Sequence, residues 1–158
     1  MPDAACIPTP TEGWPALAGQ WLGALVGFRR LNSAMFARVT EHTGLPESSF
    51  QVLGYLLHQP GHSAPMSHLA RHLEFSTAGI TKVTDRLTQQ GLLKRHPCPS
   101  DRRVVFAVLT ADGITAARRA VGVLEQAIRD LVLTHTGDDD FTTLTDIVAK
   151  AGTGLPAR

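Results

Sequence analysis

Cysteine, aromatic side chains and long apolar runs are all scarce in this chain, and each scarcity removes a class of protein. The two cysteines, Cys6 and Cys98, stand far apart and form no CxxC pair. A disulfide framework is therefore not expected, and a reducing cytoplasm fits best. The longest apolar stretch, residues 21–28, is eight residues closed by Arg29 and Arg30, far short of the ~20 that a spanning helix needs. The opening residues MPDAACIPTPTEGWP carry acids and prolines where a secretory signal needs a basic segment and then an apolar one. Glycine-rich phosphate loops, GxSxG and HExxH are missing, and no spacing among the His, Asp and Ser residues assembles a triad, so an enzyme is not expected. With 43% hydrophobic and 18% charged residues, 158 residues suffice for one domain with a real core or two small subdomains sharing one.

What the chain does have is unevenly placed charge. Fifteen basic and 14 acidic residues give a formal net charge of +1, which says little about partners. Residues 71–103, however, hold seven basic against three acidic residues, a local +4, and leave eight against eleven, −3, for the remainder. A phosphate-binding surface requires such a concentration, although a solvated face produces a modest one as well.

Periodicity orders the chain. Residues 1–13 read as a flexible arm. Leu17, Trp21, Leu25, Phe28, Leu31, Met35 and Val39 recur at steps of three and four, predicting a long amphipathic helix over 14–42 that Gly44 and Pro46 end. A second helix is expected from 48 or 49 to 58, and residues 59–65 read as loop. Two short helices follow over 66–73 and 76–90, separated by Glu74 and Phe75 alone, with Gly91 as the stop. Residues 92–96 and the β-branched run 104–109 predict two strands joined by the turn 97–103, a ribbon with a basic tip. Thr110 is placed to cap a helix over 111–136, whose Ala117, Val121, Leu124, Ile128 and Leu131 form a coiled-coil-like seam. Asp138 to Asp140 then suit the positive end of a last helix through Lys150, with Phe141, Leu144, Ile147 and Val148 apolar.

Two short helices in tandem followed by a basic-tipped hairpin is the winged helix-turn-helix order. The fold expected is mainly α with a small β-hairpin wing, in three parts: arm 1–13, DNA-binding region 46–110, and a helical dimerisation region from 14–45 and 111–152. In the second short helix Ser76 is a candidate N-cap, and Ile80, Val83 and Leu87 fall on the core side. The opposite side collects Ala78, Thr81, Lys82, Asp85 and Gln89, with Arg86 at its margin. Small residues from Thr77 to Gly79 allow close approach to base edges, and Thr81 and Lys82 can donate to bases or phosphates. Lys94, Arg95, Arg102 and Arg103 sit in the ribbon, and with Arg86 they are expected to supply phosphate or minor-groove contacts; Asp101 is placed to brace the Arg103 guanidinium. An ordinary helix with a polar solvent face explains the helix alone as well; the basic ribbon following it shifts the balance.

The fragments Met66-Ser67-His68-Leu69-Ala70, then Ile80-Thr81-Lys82-Val83-Thr84-Asp85-Arg86-Leu87, then Gly91-Leu92-Leu93-Lys94-Arg95 occur in order. Asp101-Arg102-Arg103, five residues and Leu109-Thr110 follow. Together they resemble the multiple-antibiotic-resistance regulator (MarR) family over about residues 20–150. The resemblance implies a homodimeric transcription repressor built from its first and last two helices, binding a pseudo-palindromic operator. It also implies release of the DNA by a small ligand, often an aromatic acid, or by an oxidant. A crevice lined by residues such as Trp21, Phe28, Arg29, Met35 and Phe36 is a candidate ligand site, although such side chains are more often core.

No cofactor is required by this reading, and zinc and redox responses stay as alternatives. His68 and His72 are four apart on one helix, but Leu69, Ala70 and Leu73 define its buried side and leave both pointing outward. Glu41, His42, His58 and His62 flank one interhelical region without a fixed spacing. Zinc-sensing members of the family carry a His pair within the helix that here covers 111–136, and no such pair is present. Peroxide-sensing members carry a cysteine early in the first long helix, where this chain has none. Lys94, Arg95 and Arg102 beside Cys98 could lower its pKa, but a free structural cysteine is the favoured account. A winged helix that binds protein rather than DNA is the remaining alternative.

Overall fold

A computed structural model describes residues 16–101 and 103–153; the expected arm, Cys6 and Arg102 lie outside the described residues. The chain divides into two compact units, residues 1–33 and 34–158. The first contributes the leading part of α1 (Ala16–Thr43). There Leu17, Trp21, Leu22, Val26 and Phe28 are exposed, so the amphipathic period is present but its apolar side chains meet solvent. Among the described residues no helix is long and apolar enough to cross a membrane.

The second unit holds the core. The end of α1 is followed by α2 (Glu47–Leu57), a 3-10 turn (Pro60–His62), β1 (Ser63–Pro65), α3 (Met66–His72) and α4 (Thr77–Gln89). Then come β2 (Leu93–Pro97), β3 (Val105–Leu109), α5 (Ala111–Ile128), a π-helical segment (Arg129–Leu133), α6 (Thr134–Thr136) and α7 (Asp138–Thr153). Val39, Val52, Leu53, Leu56, Leu69, Ile80, Leu87 and Leu93 are buried in one cluster that, with Ala117 and Ala120 of α5, draws on five helices and the sheet. Phe36 closes its side edge-on against Phe50, with ring centroids 5.3 Å apart.

Three features depart from the sequence reading. Residues 59–65 are not all loop: Ser63–Pro65 is a strand, paired antiparallel with β3 from Ser63 opposite Val108 to Pro65 opposite Phe106. The ribbon is consequently a three-stranded sheet in the order β1-β3-β2. Three residues are too few to display a period of two, and Pro65 argues against a strand unless, as here, the strand is an edge. The predicted continuous helix over 111–136 is interrupted by the π-helical segment. Finally, Ala117, Ala120, Ala127 and Val132 are buried, while Val121, Leu124, Ile128 and Leu131 are half-buried. The inner stripe is thus rotated from the expected seam and made of small side chains, which lets the backbone of α5 come close.

That approach is tightest at Gly113. Thr110 caps α5 by accepting from the Gly113 N–H at 2.9 Å and donates its own hydroxyl to the Gly91 carbonyl at 2.7 Å. The Thr110 N–H also reaches the Leu92 carbonyl at 3.2 Å. A β-carbon at Gly113 would overlap that same carbonyl oxygen. At the far end, Asp130 accepts from the Arg38 guanidinium at 2.7 Å and from the Gln126 amide at 2.8 Å, tying the π-helical segment to α1 and α5.

Candidate nucleic-acid interface

The reader helix α4 is defined at both ends by local chemistry. Ser76 has extended dihedrals and its hydroxyl accepts from the Gly79 N–H at 3.0 Å, as the N-cap reading expects. Before it, Glu74 takes a left-handed φ of +54° to turn the chain between α3 and α4. At the other end Gly91 has φ +74°, and the Leu92 N–H returns to the Leu87 carbonyl at 2.9 Å. This is the six-to-one bond of a Schellman stop.

Ile80, Val83, Thr84 and Leu87 face the core. Thr77, Ala78, Lys82, Asp85 and Gln89 are exposed and Thr81 half-exposed, so the predicted outward face is the outward face. Thr81 donates its hydroxyl back to the Thr77 carbonyl at 2.8 Å, so its oxygen keeps only accepting capacity. The apolar period marks Ile80, Val83 and Leu87 as the buried side and gives no sign of Thr84. A threonine is polar by composition, yet this one satisfies its hydroxyl on the Ile80 carbonyl at 2.9 Å and is buried completely.

The wing carries the remaining predicted residues. Lys94 and Arg95 are adjacent, and a strand sends neighbours to opposite faces. Leu93 is buried, so Arg95 shares its face toward the helices and Lys94 points away. The Arg95 guanidinium meets the Thr84 hydroxyl at 2.6 Å, the Thr81 carbonyl at 3.2 Å and the Asp85 carboxylate at 2.8 Å. Arg86 turns from the outward face of α4 to the start of α2, where it donates to the hydroxyls of Ser48 at 3.1 Å and Ser49 at 2.8 Å. At the tip, the Asp101 carboxylate takes the Arg103 backbone N–H at 2.9 Å. It therefore braces the turn through the main chain, where the sequence reading had it pairing with the guanidinium. Arg103 is exposed, and with Thr77, Thr81 and Arg95 it lines a cleft between α3, α4 and the sheet.

The candidate metal ligands do not converge. Nδ1 of His42, His58 and His62 each lies 2.9 Å from a carbonyl, of Arg38, Gly54 and Leu57 respectively. A carbonyl only accepts, so Nδ1 carries the proton in each. His72 lies tilted against the Tyr55 ring with centroids 4.5 Å apart, while His68 and Glu41 are exposed. Among the described residues no three His, Cys, Asp or Glu side chains form a group able to hold a metal. The Cys98 thiol is lowered below its ordinary pKa, first by the Ser100 hydroxyl 3.2 Å away and then by backbone hydrogen bonds. Among the described residues, Lys94 and Arg95 are not among its causes.

A helix-turn-helix whose second helix lies open beside a basic β-ribbon defines a winged helix-turn-helix protein. Residues 43–104 match the family model of the MarR family. The HTH-type transcriptional regulator MhqR of Bacillus subtilis is 36% identical over 87 residues, 55% of this chain and 58% of that one. The chain spans about half the length of the curated relatives it matches first. Among solved structures, the MarR-family regulator Sco3205 of Streptomyces coelicolor, in complex with DNA, superposes with a TM-score of 0.81 at 23% identity, covering 92% of each chain. The organohalide-sensing regulator RdhR-CbdbA1625, in its 2,4-dichlorophenol-bound form, does so with 0.78 at 14% identity over 98% of this chain and 90% of that one; at these identities both likenesses carry the fold. Over residues 43–104 the protein is similar to the MarR family.

Proposed function

We propose that the protein is a homodimeric, sequence-specific DNA-binding transcription regulator, a cytoplasmic repressor whose grip on a pseudo-palindromic operator is modulated by a small ligand. The observation that carries this is the open face of α4, with small Thr77 and Ala78 at its start and Thr81 and Lys82 a turn later. Such a face admits the helix to a major groove, where Thr77, Ala78 and Thr81 meet base edges and Lys82 a base or phosphate. Ser76 contributes through its cap, which leaves the neighbouring amides of α4 facing a phosphate. Lys94 and Arg103, with Arg102 beyond the described residues, reach phosphates or the minor groove.

Dimerisation through residues 14–45 and 111–152 is supported separately by two helices. On α1, Leu17 and Trp21 are 82% and 71% exposed; on α7, Ile147 and Val148 are 59% and 51% exposed. Apolar rows of this kind mark an association surface, and pairing would set two reader helices about 34–36 Å apart, one DNA turn. The ligand class is supported by the halogenated phenol held by one structural neighbour. The relatives matched are regulators, which supports a role without catalysis.

The test is selection of bound duplexes from a random library, followed by titration between about 50 and 200 mM salt. Affinity should fall linearly on logarithmic axes, and Lys94→Ala and Arg103→Ala should each reduce the slope by about 0.9 with melting temperature unchanged. Binding that stays flat with salt would refute the DNA reading and favour a protein-binding winged helix.

A further inference from the structure

Among the described residues two polar side chains are fully buried, Ser49 and Thr84, and a guanidinium lands on each. Arg86, on the reader helix, donates to Ser49 on α2 at 2.8 Å. Arg95, on the wing, donates to Thr84 on the reader helix at 2.6 Å and to the Asp85 carboxylate at 2.8 Å. The ties run in opposite senses: α4 gives an arginine to the helix layer and receives one from the sheet.

Thr84 and Arg86 are two residues apart, which at 100° per residue places the two ties about 200° apart around the helix. Anchors on nearly opposite flanks resist rotation of a helix about its own axis, which a single anchor does not. The roll of α4 decides whether Ala78, Thr81 and Lys82, or their neighbours, point outward. Arg86 has committed to this position: its Nε is buried with no hydrogen-bond partner among the described residues, a cost that a phosphate contact from solvent would not require. Each guanidinium makes its contacts through one terminal nitrogen, Arg86 to Ser48 and Ser49, and Arg95 to Thr84, the Thr81 carbonyl and Asp85; a lysine ammonium is more strongly hydrated and sits on a flexible stem, so it holds such a position less firmly.

The geometry points to Arg86 and Arg95 as positioning residues that set the roll of the reader helix. They act on sequence discrimination, while Lys94 and Arg103 supply charge. This inference rests on the DNA-binding reading, so its test has one arm with DNA and one without. In the full-length protein, Arg86→Lys and Arg95→Lys keep the charge and replace the planar, pre-organised head group with a flexible ammonium. Each should weaken binding to the duplex selected from the random library about tenfold or more, the worth of one charged hydrogen bond. Affinity for a random duplex should stay within about twofold, with the salt slope unchanged. Without DNA, the α4 amides of both variants should exchange hydrogen about tenfold faster than wild type. Ser49→Ala, which removes one anchor and leaves the arginine, should reproduce the loss of discrimination if Arg86→Lys fails to fold.

Lysine variants that bind both duplexes like wild type would overturn the inference. So would an Arg95→Gln variant whose affinities for selected and random duplexes fall together with a slope lower by about 0.9, the signature of a phosphate contact. Should the wild type bind no duplex, the DNA-binding reading fails, and unaltered amide exchange in the lysine variants would independently sink the ties.

Discussion

Replacing Gly113 with alanine should destabilise the protein sharply, although alanine is the better helix former. The new β-carbon would overlap the Leu92 carbonyl oxygen, and neither side yields easily. The Leu92 carbonyl is held by the Thr110 N–H, and the Leu92 N–H is bonded to Leu87 at the end of the reader helix. Relief requires the start of α5 to back away from the 91–92 corner. Overpacking a core by one methyl group costs about 1–3 kcal/mol, and with backbone on both sides the upper end applies. Losing the hydrogen bond from Thr110 adds about 1 kcal/mol, and the helix propensity of alanine returns about 1 kcal/mol. The net loss of about 3 kcal/mol corresponds to a drop in Tm of roughly 6–12 °C for a chain of this size. Gly122→Ala supplies the control, since Gly122 lies in the same helix with nothing within 4 Å of an added β-carbon. That variant should gain up to about 1 kcal/mol. Thermal unfolding followed by far-ultraviolet circular dichroism reads both. If Gly113→Ala melts within about 2 °C of wild type, the close approach of α5 to the 91–92 corner is not a constraint and the reasoning fails.

Ser76→Ala should cost about 1 kcal/mol by releasing the Gly79 N–H; urea denaturation checks it, and Ser76→Asp should restore most of the loss. The Gln126 amide, and after it the Arg38 guanidinium, hold the Asp130 carboxyl below the usual aspartate value of 3.8. Its folded-state pKa lies under its unfolded one, so the stabilisation is complete above about pH 4 and is lost as pH falls through the depressed value. In an NMR titration, Gln126→Ala should move the Asp130 midpoint upward toward 3.8. An unchanged midpoint would remove that amide as the main cause.

The order of elements and the outward face of α4 were legible because each rests on local pattern: a 3.6-residue period, a serine cap, a glycine stop. The contacts made by Arg86 and Arg95 were not, because both arginines count toward the basic cluster whichever way they point. For Arg95 a signal was nevertheless present. With Leu93 inward, alternation along β2 sends Arg95 inward and Lys94 out, separating two neighbours that composition treats alike. Nothing local marks Gly113, whose role is set by a carbonyl 21 positions earlier in the chain. The strand at Ser63–Pro65 was hidden for a similar reason, since its partner is β3 and not its neighbours in sequence.

That distant pairing bears on how the protein acquires its shape. Ser63 opposite Val108 and Pro65 opposite Phe106 close a chain segment that contains α3, α4 and β2. Joining ends so far apart carries a large loop-closure entropy, which the contacts inside the segment must offset before the pairing becomes favourable. The helix pair and the hairpin therefore gain a stable seat together, with β1 as the final stitch. The module should appear in refolding as one cooperative event, with Ala64 and Ala107 acquiring amide protection in the same phase as the reader helix.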